Sequence, residues 1–382
     1  MPYAEGRVYC DADSHLMELP DWLPEHADPD VRARLRPLHL GGAGALADAA
    51  VRDAESRKGD TGAAAALEDA LMRAKGWNAL GAFDPAERSR ALDLLGFSSQ
   101  LVFSTFAVTQ FAGDDVDLLY GGTRALNRAM VDFCSADPRL VPVGFAPWGV
   151  PDRTAQAVGE AIALGCGAVL VPSAIPRGVV SPTHPDHDPV WRLLEEDDVP
   201  FMLHVGGGGR PIHPGFHDND KPVTDFLGGG ENIRSKDYMA IQMPPEIFLS
   251  CLVLDGVLER FPRLRGGCIE QGAMWVVPWL RRLDIAQSTF RRTEPDLDLP
   301  MKASDYVHRQ LRFTPFPTEP VGWMIEQAGD DLFLFSSDYP HPEGGRDPLA
   351  RFEDSLAGVA DAAKARFYSE NYGELMGRSL AV

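Results

Sequence analysis

The stretch Leu332-Phe333-Leu334-Phe335-Ser336-Ser337-Asp338-Tyr339-Pro340-His341-Pro342-Glu343-Gly344-Gly345 decides how the chain is read. A short apolar run predicts a buried strand, and here it stops at two hydroxyls and a carboxylate. Pro340, Pro342 and the two glycines forbid its continuation, which puts Asp338 at the C-terminal lip of the strand. Three further stretches end in the same way: Val8-Tyr9-Cys10-Asp11-Ala12-Asp13-Ser14-His15, Phe201-Met202-Leu203-His204-Val205-Gly206 and Gly267-Cys268-Ile269-Glu270-Gln271-Gly272. The expectation is that all four strand ends converge on one metal ion.

Working outward, strands are predicted at residues 8–13, 100–105, 141–146, 168–171, 200–205, 265–270, 311–315 and 332–337. Helices are predicted between and after them at 85–95, 115–137, 153–164, 189–196, 245–261, 275–283 and 320–327, with a helical tail over 350–375. Asp84 serves as N-cap of the first, with Pro85 in its first turn. Eight alternating units imply a parallel sheet closed into a (β/α)8 TIM barrel, an α/β fold with its chemistry at the strand C-termini. A doubly wound sheet is the alternative, although no Gly-rich phosphate fingerprint follows the first strand. The whole of 1–382 reads as a single domain with two inserts. Residues 20–84 contain a Gly-rich stretch (40–44) and Ala-rich, helix-prone stretches (46–57 and 63–75), and cannot supply a core of their own. They predict a helical lid, or else a solvated decoration. Residues 206–244, rich in Gly, Asp and Asn, predict an active-site loop.

Lys and Arg number 36 against 56 Asp and Glu, a net charge of −20. A field of that sign repels nucleic acid and anionic membranes, and an anionic substrate would need a local Lys or Arg. The five cysteines form no CxxC pair, which predicts buried free thiols in a reducing compartment. The N-terminus shows no charged-then-apolar signal pattern, and no apolar run reaches membrane-spanning length. A soluble, cytoplasmic protein is expected.

Asp13 and His15, two apart on an extended chain, point to one face and can enter one cavity. The plainer reading makes Asp13 a turn cap and His15 a buried hydrogen-bonding residue. Glu18 is placed as a partner behind them. His204 is followed by Val205 and four glycines, which leave it open to a substrate. Glu270 ends an apolar strand, where a buried carboxylate needs a cation or a partner; Arg281 and Arg282 are the candidate partners. Asp338 can bind a metal weakly and take a proton from bound water, and His341 can orient it or touch substrate. A cap of a turn or helix is the competing role for Asp338. His213 and His217, split by Pro214-Gly215-Phe216, lack helical ligand geometry. His184 and His187 are assigned to a loop and a helix start, and His26, His39 and His308 to surface or packing.

Asp11-x-Asp13-x-His15-x-x-Glu18, Pro200-Phe201-Met202-Leu203-His204, Glu270-x-Gly272-x-x-Trp275 and Ser337-Asp338-Tyr339-Pro340-His341 together resemble the amidohydrolase superfamily. The resemblance is to its amidohydrolase 2 branch, which includes aminocarboxymuconate-semialdehyde decarboxylase and γ-resorcylate decarboxylase. It implies a (β/α)8 barrel holding one divalent metal ion, Zn2+ first, with Mn2+ or Fe2+ as alternatives. The implied ligands are Asp13, His15, His204 and Asp338, with Asp13 standing where the family has His or Glu. The chain departs from the pattern at Glu270, where many members carry His, and at Ala273, where the aromatic-acid decarboxylases carry Glu. The leading expectation is therefore a hydrolase of a small organic amide, ester, lactone or activated C–C bond, with Asp338 as base and Glu270 as proton shuttle or ligand. The alternative is a non-oxidative decarboxylase of an aromatic or muconate-type acid; a third class is a metal-free binding protein on the same barrel. The apolar helix at 245–261 and the tail helices predict a homodimer.

Overall fold

Seven parallel strands pair in chain order: β1 (Cys10–Leu16), β2 (Ser99–Ser104), β3 (Leu140–Phe145), β4 (Ala168–Leu170), β5 (Phe201–His204), β6 (Gly266–Ile269) and β7 (Leu311–Phe313). The computed structural model describes residues 2–38, 40, 44–209, 212–221, 234–294 and 299–377. His39, residues 41–43 of the first insert and residues 210–211 and 222–233 of the second lie outside these.

The eighth position is filled without a regular strand, which corrects the expectation at 332–337. Toward β7, Phe313 N donates to Leu332 O (2.8 Å) and Leu334 N to Phe313 O (2.9 Å). Toward β1, Ala12 N donates to Phe335 O (3.0 Å), Asp338 N to Asp13 O (3.0 Å) and His15 N to Tyr339 O (2.8 Å). The segment thus closes the barrel. Its ladder is interrupted because Phe335 N turns to Phe367 O of the tail (2.9 Å) and Ser337 N to the Asp11 carboxylate (2.7 Å). β1 is bulged between Asp11 and Ser14 and extends to Leu16, past the predicted end at 13.

The outer helices follow the predicted rhythm. Pro85–Leu95 is capped by the Asp84 carboxylate, which accepts from Ala86 N (2.9 Å) and Glu87 N (3.1 Å). The predicted 245–261 helix is two pieces, Met243–Leu254 and Val257–Arg260, because Gly256 takes φ +71° between them. A helix at Ala303–Gln310 precedes β7 and was not expected from the sequence. In the tail, Asn371–Met376 brings Tyr372, Leu375 and Met376 against Cys10, Leu101, Met202 and Leu334, stoppering the barrel at the strand N-termini. Four of the five cysteines are buried free thiols; Cys251 is exposed, contrary to expectation.

The first insert joins the main core. Ala47, Val51, Ala54, Met72 and Trp77 are buried in the same cluster as Val102 of β2 and Leu92 of an outer helix. Its end is fixed at the barrel mouth: Gly76 N donates to Pro340 O (2.9 Å), and Trp77 donates to Glu18 O (3.0 Å) and stacks on Phe106.

Candidate metal centre

The four predicted strand ends meet. Asp13 Oδ1 lies 3.3 Å from both His15 Nε2 and His204 Nε2. Glu270 Oε2 is 3.5 Å from His204 Nε2 and 4.0 Å from His15 Nε2. Asp338 Oδ1 is 3.7 Å from His15 Nε2 and 3.2 Å from His341 Nδ1. The His15 and His341 rings stack at 3.8 Å, and His204 stands edge-on to His15 at 4.9 Å. All six residues are buried. Their donor atoms fall into two overlapping groups, Asp13–His15–His204–Glu270 and His15–Glu270–Asp338–His341, each with its atoms within 4.8 Å of one another.

Backbone conformation aims two of the carboxylates. Glu270 (φ +54°) and Asp338 (φ +52°) are left-handed, a region that non-glycine residues seldom enter. Glu270 sits one step past its apolar run and Asp338 three steps past, after Ser336 and Ser337, and each is held by hydrogen bonding: Glu270 N donates to Thr314 Oγ1 (2.9 Å), and Asp338 N to Asp13 O (3.0 Å). Gly344 packs on this turn so closely that a side chain there would run into Ser337 O.

Thr105, just past β2, is the residue that sequence reasoning missed. Its hydroxyl donates to Leu16 O (2.8 Å), so it accepts from His341 Nε2 (3.1 Å) and His15 Nδ1 (3.4 Å). With a proton on Nδ1, His15 presents its Nε2 lone pair to the cluster. Glu18 holds Thr105 in place rather than joining the cluster. Its carboxylate accepts from Ser104 Oγ, Thr105 N (2.9 Å), Phe106 N (3.0 Å) and Ala107 N (3.2 Å), while burial raises its pKa. The only signal in the sequence was that Thr105 follows an apolar strand.

Behind the cluster, Asp11 accepts from Gln100 Nε2 (2.8 Å), Ser337 N (2.7 Å) and Ser337 Oγ (2.6 Å). Burial pushes its carboxyl up to about 7, against the pull of those donors. Arg88, also buried, donates to Gly81 O (2.8 Å), Gln100 Oε1 (3.0 Å) and His15 O, tying the outer helix to β1 and β2.

The competing roles fall away at several positions. Arg282 pairs with Glu246, leaving Glu270 to face His204 and His15. His217 sits 3.8 Å from Asp237, and His213 accepts from Gly215 N (3.2 Å). His184 accepts from Asp186 N (3.2 Å), His187 is buried edge-on to Trp148, His26 faces Asp132, and His308 pairs with Asp331 at 2.9 Å.

His15 Nε2 and both oxygens of Asp338 are buried without a hydrogen-bond partner among the described residues. Leaving such atoms unsatisfied costs about 1–3 kcal/mol each. Burial also lowers the pKa of His15 well below its ordinary value, with His341 and His204 adding to the effect, so it is a neutral donor. Two imidazoles and three carboxylates converging on unsatisfied atoms fit a divalent cation. A small cleft of about 40 Å3 opens over this point, lined by Asp13, Glu270, Asp338 and Glu343 together with Pro315, Phe316 and Pro317.

A family model described as amidohydrolase matches residues 10–372. No curated protein sequence matches. Among solved structures, the amidohydrolase map2389c of Mycobacterium avium subsp. paratuberculosis K-10 is similar at 21% identity and TM-score 0.73, over 98% of this chain and 100% of that one. 5-Carboxyvanillate decarboxylase LigW of Sphingomonas paucimobilis is similar at 17% identity and TM-score 0.64, over 98% and 100%. A dihydroxybenzoic acid decarboxylase of Polaromonas sp. JS666, solved with manganese and 2-nitroresorcinol, is similar at 16% identity and TM-score 0.64, over 97% of each chain. At these identities the structural likeness shows the TIM-barrel fold. The family match extends from the first residue of β1 into the helix that stoppers the barrel, and on that ground the chain belongs to the amidohydrolase family of metal-dependent enzymes.

Proposed function

We propose that the protein is a metal-dependent, non-oxidative decarboxylase of a small aromatic or muconate-type carboxylic acid. The observation that carries this reading is the Asp338–His341 pair. His341 Nε2 is engaged by Thr105, so its Nδ1 faces Asp338 Oδ1 at 3.2 Å, and the pair can hold one proton at the cleft wall. Release of carbon dioxide leaves an electron pair on carbon, and Asp338 delivers the proton to that carbon. Two neighbours of the same fold act on aromatic acids, which favours this chemistry over the hydrolysis that the sequence put first. Pro315, Phe316 and Pro317 offer a flat apolar wall for a planar substrate.

One divalent ion would be held by Asp13, His15, His204 and Asp338, with Glu270 close enough to complete the set. When bound it supplies a positive charge for a phenolate and carboxylate of the substrate. The oxygen-rich donor set suits Mn2+ as well as the Zn2+ first expected, and the Polaromonas relative contains manganese. Hydrolysis remains the second reading because of Glu270: a second carboxylate where the resemblance expects His could serve as a base for water. The first insert acts as a lid. Met243, Ile247 and Cys251 form an exposed stripe on the helix Met243–Leu254 that supports a homodimer, whereas the tail's Phe352, Phe367, Tyr368 and Tyr372 are buried and add nothing to it. The free thiols suit the cytoplasm.

The test is reaction of the metal-loaded enzyme with a panel of hydroxybenzoic acids in heavy water, and again in oxygen-18 water. Decarboxylation puts deuterium on the vacated carbon and no solvent oxygen in the product. Oxygen-18 in the product overturns it in favour of hydrolysis.

A further inference from the structure

The second Ala-rich stretch of the first insert ends in a lysine, Lys75, whose chain neighbour Gly76 is tied to Pro340 at the mouth of the barrel. The ammonium of Lys75 is shut off from solvent and hydrogen-bonds to no described residue. Its electrostatic neighbours are Asp338 and Glu343, and both wall the cleft over the metal-ligand cluster. Its backbone is anchored, because the next two residues are pinned: Gly76 N to Pro340 O at 2.9 Å, and Trp77 to Glu18 O at 3.0 Å with its ring on Phe106. An ammonium buried without a partner is costly, and folding alone supplies no reason to keep one there. Burial lowers its pKa to about 8 while the two carboxylates pull the other way.

The rest of the cleft makes the charge more telling. The described residues of its walls include four carboxylates and no Lys or Arg, Lys75 itself lying behind that lining. In a chain of net charge −20, an anion at that opening meets mostly negative charge, which a bound divalent ion would offset and a nearby ammonium would offset further. Arg88, the other buried cation near β1, spends its donors on Gly81 O, Gln100 and His15 O. Lys75 has its donors to offer.

We infer that Lys75 is the anion-recognising group of the site, its ammonium donating to a carboxylate of the substrate held between the insert and Asp338. This rests on the reading of the substrate as a carboxylic acid and gives that reading a residue from the insert. A compact ammonium with three donors recognises charge more than shape, so the group it selects for is a carboxylate rather than the isosteric amide.

The experiment compares salicylate with salicylamide, titrated by calorimetry into manganese-loaded wild type and Lys75→Met. Losing a charge-assisted hydrogen bond predicts a roughly 30-fold weaker affinity of the variant for salicylate. Salicylamide should stay within about 3-fold, the scatter of a substitution away from its contacts. The ligand-free variant should melt no lower than wild type, since an unpartnered buried charge has been removed. Lys75→Gln, which is polar and uncharged, should repeat the loss for salicylate. Equal losses for both ligands, an unchanged salicylate affinity, or no salicylate binding by wild type overturns the inference. The readout is binding, so a wild type that discriminates between the two ligands yet releases no carbon dioxide would sink the decarboxylase reading and leave Lys75 its role.

Discussion

Asp11 and Asp338 are both buried carboxylates of one barrel, yet their surroundings are opposite. Asp11 lies behind the cluster and accepts from Gln100, Ser337 N and Ser337 Oγ, in ordinary backbone conformation. Asp338 lies at the mouth in a left-handed conformation, and neither of its oxygens accepts a hydrogen bond from a described residue. At the strand N-termini, Tyr372 OH meets Ser99 Oγ at 3.0 Å. At the C-termini, His15 Nε2, Asp338 and Lys75 are left with capacity to spare. Burial alone therefore does not mark a functional group in this barrel, and neither does unspent capacity by itself, since Tyr368 OH and Asn371 Oδ1 in the tail are also buried without a hydrogen-bond partner among the described residues; at the mouth it is the convergence of such atoms with other donors that marks the site.

Four experiments would break or sharpen that contrast. Asp338→Asn should lower turnover by roughly 10^3-fold, the scale of a lost general acid or base, while leaving the melting temperature within a few degrees. A matching fall in stability would move Asp338 into the class of Asp11. Asp11→Ala should do the reverse: about 3 kcal/mol of stability lost in denaturant unfolding, because Ser337 and Gln100 keep buried donors with nothing to receive them. If that variant is as stable as wild type, the region behind the cluster is not wired as described.

Thr105→Val removes the acceptor for His15 Nδ1 and His341 Nε2. Metal affinity should weaken by about 10- to 100-fold and recover in Thr105→Ser. An unchanged dissociation constant in the valine variant would free the two rings from Thr105. The smallest effect lies near the strand N-termini, at Asp137, whose carboxyl the Arg139 guanidinium holds down at about 2. A depressed carboxyl stabilises the fold above the unfolded value near 3.9 and loses that contribution as pH falls toward 2. The contribution should be about 1 kcal/mol after solvent screening at Arg139. Asp137→Asn should flatten the acid limb of stability between pH 4 and 2, and an unchanged limb would refute the pairing.

What could be read from the sequence was whatever the chain states locally. An apolar run that halts at a polar residue followed by glycine or proline marks a strand end, and that rule pointed to His204, Glu270 and Asp338, with His341 three residues on; Asp13 and His15 were read from their two-residue spacing on an extended chain. The barrel followed from the same alternation, and the Asp84 cap from its side-chain type. Other features depend on distant partners and leave no local mark. The 332–339 segment looks like a strand, but it gives hydrogen bonds to Phe367 and Asp11. Lys75 is one lysine after an Ala-rich helix until Pro340 pins its neighbour. Thr105 is an ordinary end-of-strand threonine until two imidazoles reach it, and Glu18 turns to the loop after β2 instead of to the cluster.

Metal analysis of purified wild type beside His204→Ala asks directly whether these separated residues share one ion. About one divalent ion per wild-type chain, lost in the variant, is the predicted result. A variant that keeps its full complement, or a wild type that is active while free of metal, would contradict the account.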